Sequence, residues 1–366
     1  MRVTVLSHDL SSNAVTRAHR LAKAAMTFSD VELIGPAGRK GAWAALPQET
    51  WIRAVRKRRF PEFFASFMEL VDVAHGDVLI AVKPHLASFG AALLAAERRH
   101  VPIILDLDDL DIALAPRTEW AANPAMSDLS RAGSAVYVSL LTKAVGAAAA
   151  ITVASTALQR RFGGTLVPHG SDPNLFDPAR VDRESARRAF GFGGPTVLFP
   201  GLPRSHKGLE PLGRAMRKVP GARLAVLCRP KDLAGREWEP FPLDRIPLVP
   251  YPSLPRLLAA ADVVAVPQSD SEAARYQMPM KVFDAMAMGK PIVASAVSDL
   301  PLVLEGCGRI TPPGDVDTLA AGIAELLANP EAARTLGERA RARCVEQYSI
   351  ERIGERLLEV VSRVAG

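Results

Sequence analysis

Short β-branched runs alternate with stretches of helical periodicity along almost the whole chain, and few folds accept that pattern. It opens with Val3 to Leu6, then a loop, then a helix carrying Val15, Ala18, Leu21, Ala22 and Ala25 on one face. Strands near Val78 to Val82, Ile103 to Leu105 and Ile151 to Val153 follow, with helices after Leu86, Leu129 and Ser155. The turn-rich segment VPHGSDPNLFDP, Val167 to Pro178, interrupts the alternation with three prolines, and a fresh strand starts at Val197 to Phe199. Beyond it, strands near Leu224 to Leu227, Asp262 to Val266, Pro291 to Ala294 and Arg309 to Thr311 alternate with helices from about Leu254, Pro279, Val316 and Glu331. The pattern predicts α/β architecture with two doubly wound halves, whose ligands sit beyond the strand carboxyl ends.

A length of 366 residues fits two domains, with one large barrel as the alternative. The expected division is 1–170 and 171–348, with a terminal helix over 349–366 packing back toward the first domain through Ile350, Ile353, Leu357, Val361 and Val364. With 48% hydrophobic and 23% charged residues, the chain has material for a packed core and is not a disordered one. A net charge of +6 admits an acidic partner: nucleotide, nucleic acid or anionic lipid. The three cysteines, Cys228, Cys307 and Cys344, are odd in number and far apart, which argues against disulfides and a zinc site and suits a reducing, cytoplasmic compartment. No run approaches the roughly 20 apolar residues of a spanning helix, and the N-terminus reads as a strand rather than a secretory signal. A soluble or peripherally membrane-bound protein is expected.

Chemistry concentrates in two segments of the second half. MPMKVFDAMAMGKPIVAS, Met278 to Ser295, predicts a helix from Pro279 to near Gly289 and then a buried strand. Its N-terminal N–H groups suit a diphosphate, and Lys281 places a cation where the helix dipole alone disfavours one; a solvated lysine is the alternative. Asp284, one turn on, offers acceptors to a ribose diol, or is a surface acid. FPGLPRSHKGLEPL, Phe199 to Leu212, follows a strand and opens a helix, gathering Gly201, Arg204, His206, Lys207 and Gly208 in one loop. Two cations there would stabilise charge on a departing nucleoside diphosphate.

These segments resemble the nucleotide-sugar-binding domain of the GT-B glycosyltransferases, specifically the large retaining family-four class (glycosyl transferases group 1). The resemblance is carried by PHGSDPNLF, the Lys207-Gly208 loop, ADVVAVPQS at Ala261 to Ser269, KVFDAMAMGKPIVAS, and GRITPPGDVDTLAAGIAELL after Gly308. It implies two Rossmann-like domains facing a central cleft. It implies transfer of a sugar from a nucleoside diphosphate sugar to a hydroxyl acceptor, saccharide or lipid-linked, in glycan, glycolipid or cell-envelope polysaccharide synthesis. Neither metal nor cofactor is required. Lys207 and a nearby Arg would grip the diphosphate, Asp284 would bind ribose, and loop amides at Met278 to Met280 would touch the sugar. Two positions depart from the family. Leu202 stands where many members have Arg, which leaves Arg204; Tyr276 stands where many have Glu, which leaves Glu272 four residues earlier.

The first half resembles the acceptor domain. HDLSSNAVTRAHRLAKAA supplies a strand-to-helix loop with Ser12 and Asn13 and then Arg17, which faces acceptor or caps a solvated helix. His85 in KPHLASF lies near a His that some members use beside the reacting sugar, with Lys83 competing for that alignment. The string ILDLDDLD, with Asp106, Asp108, Asp109 and Asp111, admits chelation of a metal, a phosphatase-like site, or acceptor binding by Asp108 at the cleft edge; the last is favoured over a solvated loop. Residues 51–67 combine Arg53, Arg56, Lys57, Arg58 and Arg59 with Trp51, Phe60, Phe63, Phe64 and Phe67, a composition for an anionic membrane surface. Nucleic acid is the weaker reading without a recognised module, and core aromatics with solvated charges the plainer one. Rival functions are a GT-B-fold nucleotide-sugar epimerase and a catalytically degenerate nucleotide-sugar-binding protein.

Overall fold

The computed structural model describes residues 1–46, 49–59, 61–114, 133–229, 232–233 and 243–366; Phe60 and Leu129 lie outside them. The chain divides into two compact units, Met1–His169 with Ile350–Gly366, and Gly170–Ser349. In the first unit, β1 (Arg2–Ser7), β2 (Asp30–Ala37), β3 (Ile52–Arg56), β4 (Val78–Val82), β5 (Ile103–Leu107), β6 (Ala150–Val153) and β7 (Thr165–Leu166) form one sheet in the order β3-β2-β1-β4-β5-β6-β7. Every pairing is parallel. β4 and β5 read VLIAV and IILDL and are buried along their whole length, because helices cover both faces and leave no polar side to alternate. The strand order reverses between β1 and β4, and the crevice beyond their carboxyl ends is the topological switch point.

The second unit repeats the plan with β8 (Thr196–Phe199), β9 (Arg223–Leu227), β10 (Leu243–Ile246), β11 (Val263–Val266), β12 (Ile292–Ser295) and β13 (Arg309–Thr311), ordered β10-β9-β8-β11-β12-β13. Here the order reverses between β8 and β11. The helix Val316–Ala328 starts where Asp315 accepts hydrogen bonds from the backbone N–H groups of Asp317 and Thr318, at 3.1 and 3.0 Å. Its Leu319, Ala320, Ile323 and Leu326 are buried against that sheet's core. All three cysteines are buried and free.

Four strands escape the periodicity: β2, β3, β7 and β10. β2 (DVELIGPA) begins with acids and ends in Gly-Pro-Ala, and β10 (LDRI) has one fully buried residue, Ile246. β3 sits at the sheet edge with only Val55 fully buried. Its exposed Arg53 and Arg56 discourage edge-to-edge pairing with another chain. The basic run of residues 51–67 is thus in part an edge strand followed by the helix Phe63–Val73. Trp51 stacks on His19 with centroids 5.2 Å apart, and Phe63 is buried; of the described aromatics in this segment only Phe64 is largely exposed.

The last helix, Ile350–Ala365, belongs to the first unit. Its Ile353, Leu357, Val360 and Val361 join Val15, Ala18 and Leu21 of the helix Val15–Ala25 in one core. Contact is close at Gly354, where a Cβ would lie 2.7 Å from the Ala24 carbonyl oxygen and overlap the Thr27 hydroxyl. Replacing Gly354 by Val should therefore force the helices apart and lower stability by about 1–3 kcal/mol, the usual range for overpacking. Urea unfolding measures it, and an unchanged midpoint would show that the helix can be moved freely.

Candidate active site

The carboxyl edge of the second sheet is built by the loop after β8. Gly201 follows the strand, Arg204 is exposed, and Ser205–Lys207 make a single 3₁₀ turn before the helix Leu209–Met216. Gly208, between turn and helix, has φ +69°, and a Cβ there would run into the Pro267 carbonyl. Only glycine satisfies both constraints. The close approach brings Lys207 to the loop after β11, at the switch point. Its ammonium donates to the amide oxygens of Gln268, at 3.4 Å, and of Gln277. His206 Nε2 lies 3.2 Å from the same Gln277 oxygen. Gln268 is fully buried, and its Nε2 has no hydrogen-bond partner among the described residues. The two glutamines were not singled out from sequence, although Gln268 stands inside ADVVAVPQS and Gln277 directly before Met278.

The helix after this loop starts at Lys281 rather than Pro279 and runs only to Ala287. Met278 is buried, Met280 half-buried, and Glu272 exposed at the start of the short helix Glu272–Tyr276. Asp284 is not the surface acid of the plainer reading. It is fully buried, it accepts a hydrogen bond from the Ser171 hydroxyl at 2.9 Å, and its other oxygen lies 3.5 Å from Lys281 Nζ. The reason is that the helix is buried all round, Val282, Phe283, Ala285 and Met286 included, so Asp284 lies inside the unit, where it holds Ser171. Lys281 Nζ also sits 6.0 Å from the Tyr251 ring centroid.

The carboxyl edge of the first sheet gathers more charge. Lys83, just past β4, has a left-handed φ of +70° and a buried ammonium 2.6 Å from Asp109, 2.9 Å from Asp108 and 3.2 Å from Asp111. Burial alone would lower its pKa, but the carboxylates of Asp108, Asp109 and Asp111 outweigh burial and hold it well above the ordinary lysine value. The same attractions hold a non-glycine residue in a sparsely populated backbone region. His85 Nε2 is 3.1 Å from Asp111, and the His85 ring stacks on His8, which follows β1, with centroids 4.2 Å apart. Burial, then the nearby His85 and Lys83, hold His8 well below the usual histidine pKa, so its imidazole is neutral. Sequence reading singled out His85 and Asp108 but not His8, whose role depends on a strand order that spacing does not reveal.

Asp108 is not part of a solvated loop: only 7% of it is exposed. Burial pushes its carboxyl up to about 7, against the pull of Lys83 and with the help of Asp109 and Asp106. Arg17 is not the solvated cap of the plainer reading. It is buried, gives Asp106 two hydrogen bonds of 2.9 and 2.7 Å, and donates to the Val167 and Pro168 carbonyls at 2.7 and 3.1 Å. With its donors so engaged it is a strut of the unit. Ser12 donates to Asp9 at 3.0 Å, and Asn13 is exposed. Among the described residues, no group of three or more His, Cys, Asp or Glu is arranged to hold a metal ion.

Residues 194–329 match the family described as Glycosyl transferases group 1. They form a group 1 glycosyltransferase domain. Of curated proteins, a D-inositol 3-phosphate glycosyltransferase of Mycobacterium marinum is 33% identical over 217 residues, which is 55% of this chain and 45% of that protein. An MMP alpha-(1->4)-mannosyltransferase of Mycolicibacterium hassiacum is 38% identical over 119 residues, 31% of this chain and 28% of that protein. The matches thus span less than half of either relative. Among solved structures, the sucrose-phosphate synthase of Thermosynechococcus elongatus superposes with a TM-score of 0.71 at 18% identity, covering 99% of this chain and 98% of that one. Anabaena Alr3699/HepE in complex with UDP-glucose gives 0.71 at 16% identity over 99% of this chain and all of that one. These likenesses show a GT-B fold. The Lys207 loop, both glutamines and Asp284 all lie inside the group 1 domain.

A carboxyl whose folded pKa lies above its unfolded value of about 3.9 keeps, in the folded state, a proton that the unfolded chain has lost. For Asp108 that contribution to stability is complete below about pH 4 and is lost as pH rises through about 7. Asp108→Asn, always neutral, should gain melting temperature relative to the parent across that interval and level off above it. Parallel curves of melting temperature against pH would remove the shifted carboxyl from consideration.

Proposed function

We propose that the chain moves a sugar from a nucleoside diphosphate sugar to a hydroxyl acceptor, with retention at the anomeric carbon. Lys207 carries the reading: its ammonium stands at the switch point of the second sheet, oriented by two neutral amide oxygens, in a loop that only Gly208 allows to approach β11. When the bond from the anomeric carbon to the diphosphate breaks, negative charge collects on the departing oxygen. Lys207 and the exposed Arg204 meet that charge, and the acceptor oxygen bonds on the same face as its proton passes to the departing diphosphate oxygen. Gln268, whose Oε1 accepts from Lys207, also carries a buried Nε2 donor without a partner among the described residues. Neighbours of the same fold bound to UDP and UDP-glucose support a nucleoside diphosphate sugar as donor. Relatives named for inositol phosphate and mannosyl transfer support a polyol or glycan acceptor.

The epimerase and the degenerate binder are less well supported, since the named relatives are transferases. Buried free cysteines suit a cytoplasmic setting, and no helix among the described residues is long and apolar enough to cross a membrane. Phe64, with Arg53, Arg56 and Lys57 exposed nearby in sequence, is the remaining basis for contact with an anionic membrane surface. Phe64→Ser should then weaken co-sedimentation with phosphatidylserine vesicles, and wild-type sedimentation by that variant would dismiss the contact. For the transfer itself, Lys207→Ala should lower turnover by about 100-fold or more, the usual loss for one group that meets developing charge, with melting temperature unchanged. Transfer near the wild-type rate by a folded Lys207→Ala protein would overturn the assignment.

A further inference from the structure

The two switch points differ in what their lysines face, and the difference bears on the acceptor. In the second unit Lys207 is held by amide oxygens; in the first, Lys83 is matched by three carboxylates. Two other cations near the first edge are matched as well. Arg17 is engaged by Asp106, and Lys57 stands 3.5 Å from Asp9. His8 is held neutral. Carboxylates therefore outnumber cations in the cluster of Lys83, Asp108, Asp109 and Asp111.

The edge is also incompletely satisfied. Among the described residues, Asp111 Oδ2, His8 Nδ1 and His85 Nδ1 are buried without a hydrogen-bond partner, and the Asp111 side chain is only 9% exposed. Buried polar atoms without partners are uncommon, and those at a ligand crevice are completed by the ligand. A sugar or cyclitol hydroxyl both donates and accepts, so it can donate to the carboxylate and serve either imidazole nitrogen in whichever tautomer it holds. A phosphate group brings acceptor oxygens and negative charge against Asp109 and Asp111, and like charges placed together in a buried site are strongly unfavourable.

We propose that the carboxyl edge of the first sheet takes an unphosphorylated polyhydroxy acceptor and disfavours its phosphate ester. This rests on the transferase reading, and it sets the chain apart from relatives named for D-inositol 3-phosphate. Loss of the Lys83 ammonium to its own carboxylates is the central point: the cation that a phosphate would need is already neutralised.

The test is a titration of the full-length protein with histidine side chains labelled for NMR, following His8 and His85, each assigned by substitution. Probes are myo-inositol and its 3-phosphate, glucose and its 6-phosphate, and inorganic phosphate. At least one unphosphorylated polyol should move both signals at millimolar concentration, and its phosphate ester should require about tenfold more or have no effect. In Asp111→Asn, or in Asp109→Asn should the first variant fold poorly, that preference should narrow. A phosphate ester or inorganic phosphate acting at equal or lower concentration than the polyol would overturn the proposal, and so would the absence of any shift with either polyol. Nucleotide binding by the parent and by Lys207→Ala, measured separately with UDP and GDP, tests the donor reading without touching this titration.

Discussion

Arg17 and Asp106 hold the first unit in its shape. A carboxylate in the middle of a fully buried strand is costly unless its charge and lone pairs are met, and Arg17 meets both oxygens from the helix Val15–Ala25 while Thr152 of β6 donates to one of them at 2.7 Å. The remaining guanidinium donors bind the carbonyls of Val167 and Pro168, the last turn of chain before the second unit begins. One ion pair thereby joins a helix, two strands and the exit segment. Removing one partner of such a pair typically costs about 3–5 kcal/mol, far more than a surface pair, because the other charge is left buried. Everything beyond β5, including Asp108, Asp109 and Asp111, takes its position from a strand that this pair pins.

The two sheets solve the same placement problem by different local means. Each reverses its strand order once, and each puts a lysine in the loop at that point. Lys207 reaches its place because Gly208 lets the backbone close on Pro267, and neutral amides orient it. Lys83 reaches its place in a left-handed backbone conformation stabilised by three carboxylates. A cation matched by three carboxylates mainly organises them. Fold repetition therefore does not bring repetition of chemistry.

Much of the architecture was legible because buried parallel strands are apolar throughout and helical stripes repeat at regular spacing. Val78 to Val82 and Val197 to Phe199 stand out for that reason, as does the stripe through Leu319 and Ile323. Edge strands did not, since β3 has a single fully buried residue and reads as a basic run. Single residues were harder. The Lys207 loop could be found from its glycines and cations; Arg17 and Asp284 were singled out as well, as ligand contacts or solvated residues, but their burial was not foreseen. Their burial depends on partners 89 and 113 residues away, Asp106 and Ser171, and spacing along the chain carries no trace of such pairings. His8 and Gln277 are similar cases: each matters because a strand order brings it beside a residue distant in sequence.

The first unit is interrupted, and its final piece is synthesised after the whole of the second unit. The 16-residue helix Ile350–Ala365 completes a core whose other members, Val3, Val15 and Leu21, leave the ribosome long before it. The second unit, continuous from Gly170 to Ser349, has its whole sequence available earlier. Domains generally fold as units in the order in which they emerge. Here that order is inverted: the first unit waits, its apolar helix face uncovered, until the helix Ile350–Ala365 has been made. A chain that stops short of this helix leaves that face bare however complete the second unit is.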